Sequence, residues 1–337
     1  MTPVSVRDAR PDDATAIERV ARASWADTYG DIFEPAYIEA FLAEHYAIDS
    51  LAIDAERAAA SDDAHFLVAE RHGSVIAFAH FGIGSRGPEL ARIYADPAHY
   101  GTGAGSALLA ELHRRLEGRV DSYVLDVHPD NARGRAFYDR NGFVIAGVGA
   151  TPDCHLMLRR TLRPVAATLP IETERLRLRH LTDADAVALH RIYGDAETML
   201  HVGRNRQPTA DVAATQRVVD FVRRHDELHG FTMWAIDESA DGDAVVGIAG
   251  LIWVEGHGPE VEAAYLVRRD RWGRGYATEA LRAVLDVGHR ELGLERIVAL
   301  AYPENDASRH VMEKAGMRPD GTADAYGHTL TRHVSGA

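Results

Sequence analysis

The sequence predicts an α/β fold of two tandem units, each a mixed, mostly antiparallel sheet flanked by helices. Three observations carry this. A glycine-bearing strand-to-helix turn occurs twice, as Tyr100-Gly101-Thr102-Gly103-Ala104-Gly105 and as Trp272-Gly273-Arg274-Gly275-Tyr276-Ala277. Each turn is followed by an Asn-led helix closing on glycine, with Asn131, Tyr138 and Gly142 in the first copy and Asn305, Met312 and Gly316 in the second. The turns lie 172 residues apart and the Asn-led helices 174 apart, the mark of related units in tandem. Finally, β-type runs precede each turn, and a helix and further strands follow it, which is the order of a mixed sheet rather than a helical array.

In the first unit an alternating stretch runs from Val4 to Arg7, and Asp12 or Asp13 caps a helix through Ala23. A second helical region is predicted between Pro35 and Ala60. Strands His65 to Ala69 and Ser74 to Phe78 flank Gly73, and a third covers Glu89 to Tyr94, directly before the glycine turn. Ala107, Leu108, Leu112 and Leu116 recur at helical spacing up to Gly118. A strand from Tyr123 to Val127, the helix ending at Gly142, and strands near Phe143 and at His155 to Leu158 complete the unit.

Pro164, Ala166, Ala167 and Pro170 have the composition of a connector. The predicted organisation is therefore residues 1–160, a linker at 161–171, and residues 172–337. The second unit restarts with Leu176-Arg177-Leu178-Arg179 and a helix from Thr182–Asp185 to Tyr193. A longer helix follows Pro208. Strands around Phe231 to Ile236, Val245 to Val254 and Val261 to Val267 lead to the second turn and a helix from Thr278 toward Gly293.

A chain of 337 residues, 46% of them hydrophobic, has room for two domain-sized cores. The net charge of −14 argues against a general nucleic-acid surface. Cys154 is the single cysteine, so an intrachain disulfide and a four-cysteine zinc site are both excluded, and a reducing cytoplasm is the expected location. The first eight residues lack a signal-peptide core, and no apolar run approaches about 20 residues, so no membrane span is expected.

Each turn can offer unpaired backbone N–H groups at a helix start, a site for a phosphate-bearing ligand. Nucleotide alternatives fit less well. Neither turn has the lysine of a P-loop. Gly101-x-Gly103 imitates a dinucleotide-binding turn, but Ser106 replaces the third glycine and the turn comes late in its unit.

These residues resemble the GNAT superfamily of acyl-CoA-dependent N-acetyltransferases. In that family the fourth strand enters a Gln/Arg-x-x-Gly-x-Gly/Ala turn whose amides hold the CoA pyrophosphate. Tyr100-x-x-Gly103-x-Gly105 and Trp272-x-x-Gly275-x-Ala277 match at the small residues, with an aromatic in place of Gln or Arg. The likeness spans nearly the whole chain. Thr173-Glu174-Arg175-Leu176-Arg177-Leu178-Arg179 and the second turn look like the ribosomal-protein N-terminal acetyltransferase branch. Ala23 to Tyr29, with Phe137-Tyr138, look like the broad branch of small-amine and protein acetyltransferases.

The resemblance implies acetyl-CoA as co-substrate, no metal, and direct attack of a primary amine on the thioester, the acceptor being a small molecule or a peptide. It implies a CoA site at Tyr100, Gly101, Gly103, Gly105 and Asn131, and a second at Trp272, Gly273, Gly275, Ala277 and Asn305. Tyr138 falls at the general-acid tyrosine, though with Phe137 it also reads as a core aromatic. Met312 occupies that place in the second unit and has no proton to give, which leaves Ser308 and Tyr326 as stand-ins. Glu262 resembles the acidic residue that opens the fourth strand and accepts a proton, and also reads as a strand-end charge. Glu89 has the same prospect in the first unit. It lies 11 residues before Tyr100, whereas Glu262 lies 10 before Trp272, so one strand needs a bulge for both to face alike.

Asn131 and Asn305 read equally as helix caps. Arg133, Arg135, Arg268, Arg271 and Arg274 are candidate phosphate contacts. His225 and His229 form a helix-spaced pair without a third ligand, which favours a structural role over metal. The alternative function is an acyl-CoA-binding regulatory protein in which one or both units do not turn over; Met312 points that way for the second. The sequence sets neither the acceptor nor the oligomeric state.

Overall fold

His72 and Gly73, at φ 53° and 74°, form a two-residue turn whose twist suits a right-handed hairpin. Tyr326 and Gly327, at 55° and 76°, repeat it near the other end of the chain. The computed structural model describes residues 3–84, 86–148, 156–239 and 245–336. In it these hairpins belong to separate sheets, in compact units Met1–Arg163 and Pro164–Ala337.

The first unit runs β1 (Ser5–Asp8), α1 (Ala14–Tyr29), α2 (Pro35–His45), α3 (Ile48–Ala59), β2 (His65–Arg71), β3 (Ser74–Gly84) and β4 (Gly87–Ala95). It continues through α4 (Ala104–Leu116), β5 (Ser122–Val127), α5 (Ala132–Arg140), β6 (Phe143–Val148) and β7 (Leu156–Thr161). The second runs β8 (Ile171–Glu172), β9 (Leu176–Arg179), α6 (Ala186–Tyr193), α7 (Ala196–Met199), α8 (Val212–His229), β10 (Met233–Glu238), β11 (Val245–Trp253) and β12 (Val261–Val267). Then come α9 (Tyr276–Arg290), β13 (Arg296–Ala301), α10 (Asp306–Lys314), β14 (Arg318–Ala325) and β15 (His328–Gly336).

The sheets have the order β1-β2-β3-β4-β5-β7-β6 and β14-β15-β13-β12-β11-β10-β9-β8. With β8 set aside, the second repeats the first strand for strand. Every pairing is antiparallel except β4 with β5 and β12 with β13. At these two parallel contacts the register is held at Glu89 opposite Val124 and at Glu262 opposite Val298. Beyond those points the strands part toward the glycine turns.

Central strands are apolar on both faces because both faces are covered. In β2, Leu67 and Ala69 meet Leu108, Leu109 and Leu112 of α4, while Phe66 and Val68 meet Ile17, Val20 and Leu51 of α1 and α3. Likewise in β10, Trp234 and Ile236 face α9, and Met233 and Ala235 face α6 and α8. Each such leucine or isoleucine, shielded from water, contributes about 1.5–3 kcal/mol.

Several boundaries differ from the sequence expectations. The first helix continues past Ala23 to Tyr29, because Ser24, Trp25 and Tyr29 also face the core. The region from Pro35 to Ala60 is two helices, broken where Tyr46 leaves helical geometry at φ −129°, ψ 25°. Residue His155 of the expected last strand, and Cys154 beside it, lie outside the described residues. The proline- and alanine-rich stretch is tied to the second unit: Ala167 donates its amide to the Gly230 carbonyl (3.1 Å), and Ala167 and Leu169 pack on that unit's core.

Candidate functional site

Both glycines of each turn need the left-handed region: φ is 73° at Gly101, 85° at Gly103, 75° at Gly273 and 81° at Gly275. Gly103 and Gly275 are the N-caps of α4 and α9, and neither helix has a side-chain cap, so the first amides of each face outward without a side-chain acceptor. A Cβ at Gly101, Gly103 or Gly273 would meet no atom within 4 Å, and one at Gly275 would meet only the Arg175 guanidinium, at 3.4 Å. Such a cradle has room for an anionic group at the helix start. Gly105 is small for another reason. A Cβ there would stand 3.1 Å from the Phe137 ring, so helix packing fixes that glycine, and Ala277 takes its place in the second unit.

The aromatics that open the turns brace them. The Arg133 guanidinium lies 4.4 Å from the Tyr100 ring centroid, and the Trp272 indole N–H donates to the Val267 carbonyl at 2.7 Å. In the second unit Arg175 holds the turn from outside. It donates to the Arg274 carbonyl (2.8 Å) and to Glu279 (2.7 Å), and Glu279 also accepts from the Thr173 hydroxyl (2.6 Å). Thr173 and Arg175 of the Thr-Glu-Arg-Leu stretch thus support the second glycine turn, a role sequence reasoning did not assign. The other arginines are engaged with protein groups. Arg133 pairs with Asp27, Arg268 with Asp270 (2.5 Å) and Arg271 with Glu238 (3.0 Å); Arg274 lies 4.0 Å from Glu238, and Arg135 donates to the Pro129 carbonyl (3.2 Å).

Asn131 and Asn305 cap α5 and α10, accepting the Gly134 amide (2.8 Å) and the Ser308 amide (3.1 Å). The Asn131 side-chain amide also points at the Tyr29 hydroxyl, 3.5 Å away.

The two carboxylates occupy matching places where the parallel strands part. The extra residue in β4 is absorbed by a bulge: His80 stands opposite Arg92 but Phe81 opposite Leu90, which leaves Ala91 unmatched. The register of β11 with β12 is unbroken. Their surroundings differ. Glu89 is ion-paired with Arg86 (2.6 Å), which also holds Asp126 (3.0 Å). Glu262 is buried, 7% exposed, and has no cation beside it among the described residues. Burial pushes its carboxyl up to about 7, offset in part by the Tyr326 hydroxyl, which donates at 2.6 Å, and by the Leu300 amide.

Tyr138 is buried on α5 against Phe137 and Phe143, ring centroids 5.4 and 5.3 Å away. No hydrogen bond joins its hydroxyl to another protein group among the described residues, and burial raises its ionisation above the ordinary tyrosine range. Met312 takes the same place on α10 and is buried in the core. One helical turn earlier, Ser308 brings its Oγ to 2.9 Å from the Tyr265 hydroxyl, and Tyr265 also donates to the Ser308 carbonyl (3.0 Å). Since Asn305 caps the helix, Ser308 Oγ is not needed there. Tyr265, which the sequence reading passed over as a strand residue, is found only through this cross-element contact.

His225 uses Nδ1 on the Phe231 carbonyl (2.7 Å) and Nε2 on the Trp253 amide (3.3 Å), and burial lowers its pKa to about 4. Both ring nitrogens are thus engaged with the backbone. Among the described residues no three His, Cys, Asp or Glu side chains group to hold a metal ion, and no helix is long and apolar enough to cross a membrane.

Residues 24–143 match the model of the acetyltransferase (GNAT) family, and residues 175–318 that of an acetyltransferase (GNAT) domain. A spermidine N(1)-acetyltransferase of Thermoplasma acidophilum is 30% identical over 143 residues, covering 42% of this chain and 89% of the relative. An uncharacterized Bacillus subtilis protein, YkkB, is 31% identical over 153 residues, covering 45% of this chain and 86% of its own. The crystal structure of a PaiA N-acetyltransferase from Thermoplasma acidophilum with coenzyme A is 28% identical, covers 47% of this chain and 98% of that one, and gives a TM-score of 0.43.

Proposed function

The chain belongs to the GNAT acetyltransferase family in both of its halves, and we propose that it transfers acetyl from acetyl-CoA to a primary amine by direct attack of the amine on the thioester. The observation that carries this reading is Glu262, a buried carboxyl near neutral pKa placed where β12 and β13 part, on the strand that runs into the glycine turn.

Acetyl-CoA supplies the activated acyl group. Backbone amides of the turns at Gly103 and Gly275 bind its pyrophosphate, and Asn131 and Asn305 fix the helices beside the gap between the strands. The amine nitrogen forms a bond to the carbonyl carbon while the C–S bond breaks. Its surplus proton passes to Glu262, directly or through water, and a proton returns to sulfur. For that return we assign Tyr138 in the first unit and, in the second, the Ser308–Tyr265 hydroxyl pair one turn from Met312. Tyr265 is a weak acid, its pKa raised to about 12 by burial, but a thiolate leaving group needs only modest help because a thiol pKa is about 8.5. Glu89, held by Arg86, takes the corresponding place in the first unit. We assign residues 1–160 and 172–337 as the two acetyltransferase domains, joined by 161–171. The hydroxyl pair and the raised carboxyl favour transfer over a purely regulatory second unit.

Acetyl-CoA offered with a panel of polyamines, amino acids, peptides with free N-termini and lysine peptides, followed by thiol release, is expected to give saturable transfer to one amine class. Thiol release independent of every amine would refute the proposal.

Both turns are proposed to bind CoA, so calorimetry is expected to titrate two sites per chain. Gly103→Val and Gly275→Val each place a branched side chain at φ above 80°, at a cost of about 1–3 kcal/mol, and fill the space open to phosphate. Because the branched side chain occupies the space that phosphate would enter, each is expected to weaken one site by about tenfold or more and leave the other intact. One site in the unaltered chain would contradict this.

A further inference from the structure

Two non-glycine residues of the second unit sit in the left-handed region and bond to each other. Glu255, at φ 56°, lies in the turn after β11, and Tyr326, at φ 55°, in the turn joining β14 to β15. The Tyr326 amide donates to Glu255 Oε1 (2.8 Å), and the Glu255 amide approaches the Tyr326 hydroxyl (3.3 Å). That hydroxyl in turn donates to Glu262 Oε2 (2.6 Å). The hairpin turn itself accounts for the positive φ of Tyr326, as it does at His72; what is particular to this turn is that Glu255 holds the Tyr326 backbone while the Tyr326 hydroxyl reaches the buried carboxyl.

We propose that Tyr326 is a positioning residue for Glu262, a fixed donor that holds one carboxylate oxygen and leaves the remaining lone pairs for the reacting amine. The proposal rests on Glu262 being the base. It also replaces the idea that Tyr326 stands in for the missing acid at Met312. Its proton is committed to Glu262, and burial, with Glu262 and Glu255 on either side, keeps its ionisation far above the ordinary tyrosine range.

Among the described residues the other surroundings of Glu262 offer no rival charge. Ile252 is its neighbour on β11 and Val298 on β13, and the Leu300 amide is its second donor. Arg204 stands 3.8 Å from Glu255 Oε1, the oxygen that accepts the Tyr326 amide. Glu260, two residues earlier on the chain, is paired with Arg332. Of the four lone-pair sites on an ionised carboxylate, two are thus engaged.

The test uses the full chain with ¹³C-carboxyl glutamate, with the Glu262 signal assigned by its loss in Glu262→Gln. Tyr326→Phe keeps the ring and removes only the donor. Since a donor to the charged form lowers a carboxyl pKa, the Glu262 midpoint is expected to rise by about one pH unit. The acid limb of the second unit's pH–rate profile should move with it, giving about a tenfold loss at pH 6 and a change of about twofold or less at pH 9. Tyr326→Asn, which suits the left-handed turn but falls short of the carboxyl, is expected to give the same shift in a fully folded chain. An unmoved midpoint with a uniform rate loss would overturn the proposal and reduce Tyr326 to packing. An acid limb that persists in Glu262→Gln would instead sink the base assignment, while the Tyr326→Phe midpoint still reports on the contact itself.

Discussion

Glu262→Gln is expected to lower acetyl transfer by the second unit by about 10²–10⁴-fold, the usual worth of a general base. The loss has a pH window. With its carboxyl near 7, Glu262 is increasingly protonated in acid, so the parent's advantage shrinks about tenfold for each pH unit below 7 and is about a tenth of its full size at pH 6. Variant and parent differ most between about pH 7 and the pKa of the amine, near 10 for a lysine-like acceptor. CoA affinity should not change, because the turn at Gly275 is untouched. The same substitution has an opposite effect on stability. A carboxyl raised in the folded state from 4.5 to about 7 contributes stability that is fully present below 4.5 and lost as pH rises through 7. Keeping it ionised at pH 8 costs about 3 kcal/mol at 1.4 kcal/mol per unit, so the glutamine variant should melt higher than the parent at pH 8 and level with it at pH 4. Full transfer at pH 8 by Glu262→Gln, on an acceptor shown to use this unit, would remove Glu262 from the mechanism.

Tyr138→Phe is expected to slow transfer by the first unit by about 10²–10⁴-fold without abolishing it, since water can protonate a departing thiolate slowly. The variant separates acid from packing. No hydrogen bond joins the Tyr138 hydroxyl to another protein group among the described residues, so removing it strands no buried donor or acceptor and should shift the melting temperature little. The ring contacts with Phe137 and Phe143 remain. Measured in a chain whose second unit carries Glu262→Gln, an unchanged rate would make Tyr138 a core aromatic and nothing more.

What could be read from the sequence was whatever the backbone writes into residue type. Glycines that must take positive φ, asparagines that cap helices and alternating apolar strands are local demands, and they located the turns, the caps and the succession of elements. The chemistry at the centre of the second unit was less visible. Glu262 as a strand-end charge and Glu262 as a buried base are the same letter, and only its neighbours on β13 and in the β14–β15 turn separate them. Tyr265 and Ser308 lie 43 residues apart and meet only once α10 packs beside β12. Arg175 looks like a surface cation until Glu279 and the Arg274 carbonyl are seen around it. Gly105 carries a further demand that its place in the turn does not reveal, a Phe137 ring 3.1 Å from where a Cβ would stand.

The two units also preserve a comparison of where this architecture tolerates extra residues. In α4 the buried positions Ala104, Leu108, Leu109, Leu112 and Leu116 correspond at a constant interval to Tyr276, Ala280, Leu281, Val284 and Gly288 of α9, so the two residues that lengthen the second copy were appended at the helix's far end, where no inward-facing position is displaced. A strand offers no such margin, since one added residue inverts every position upstream of it. In β4 the inversion is cancelled at Ala91, and the acidic side chain keeps its station although its distance from the turn has changed. Exchange of segments between the halves therefore has natural seams: β4 travels only with its bulge, whereas the C-terminal ends of α4 and α9 can be trimmed or extended. Equivalence of function within the pair follows the ladder of hydrogen bonds, not the count of residues.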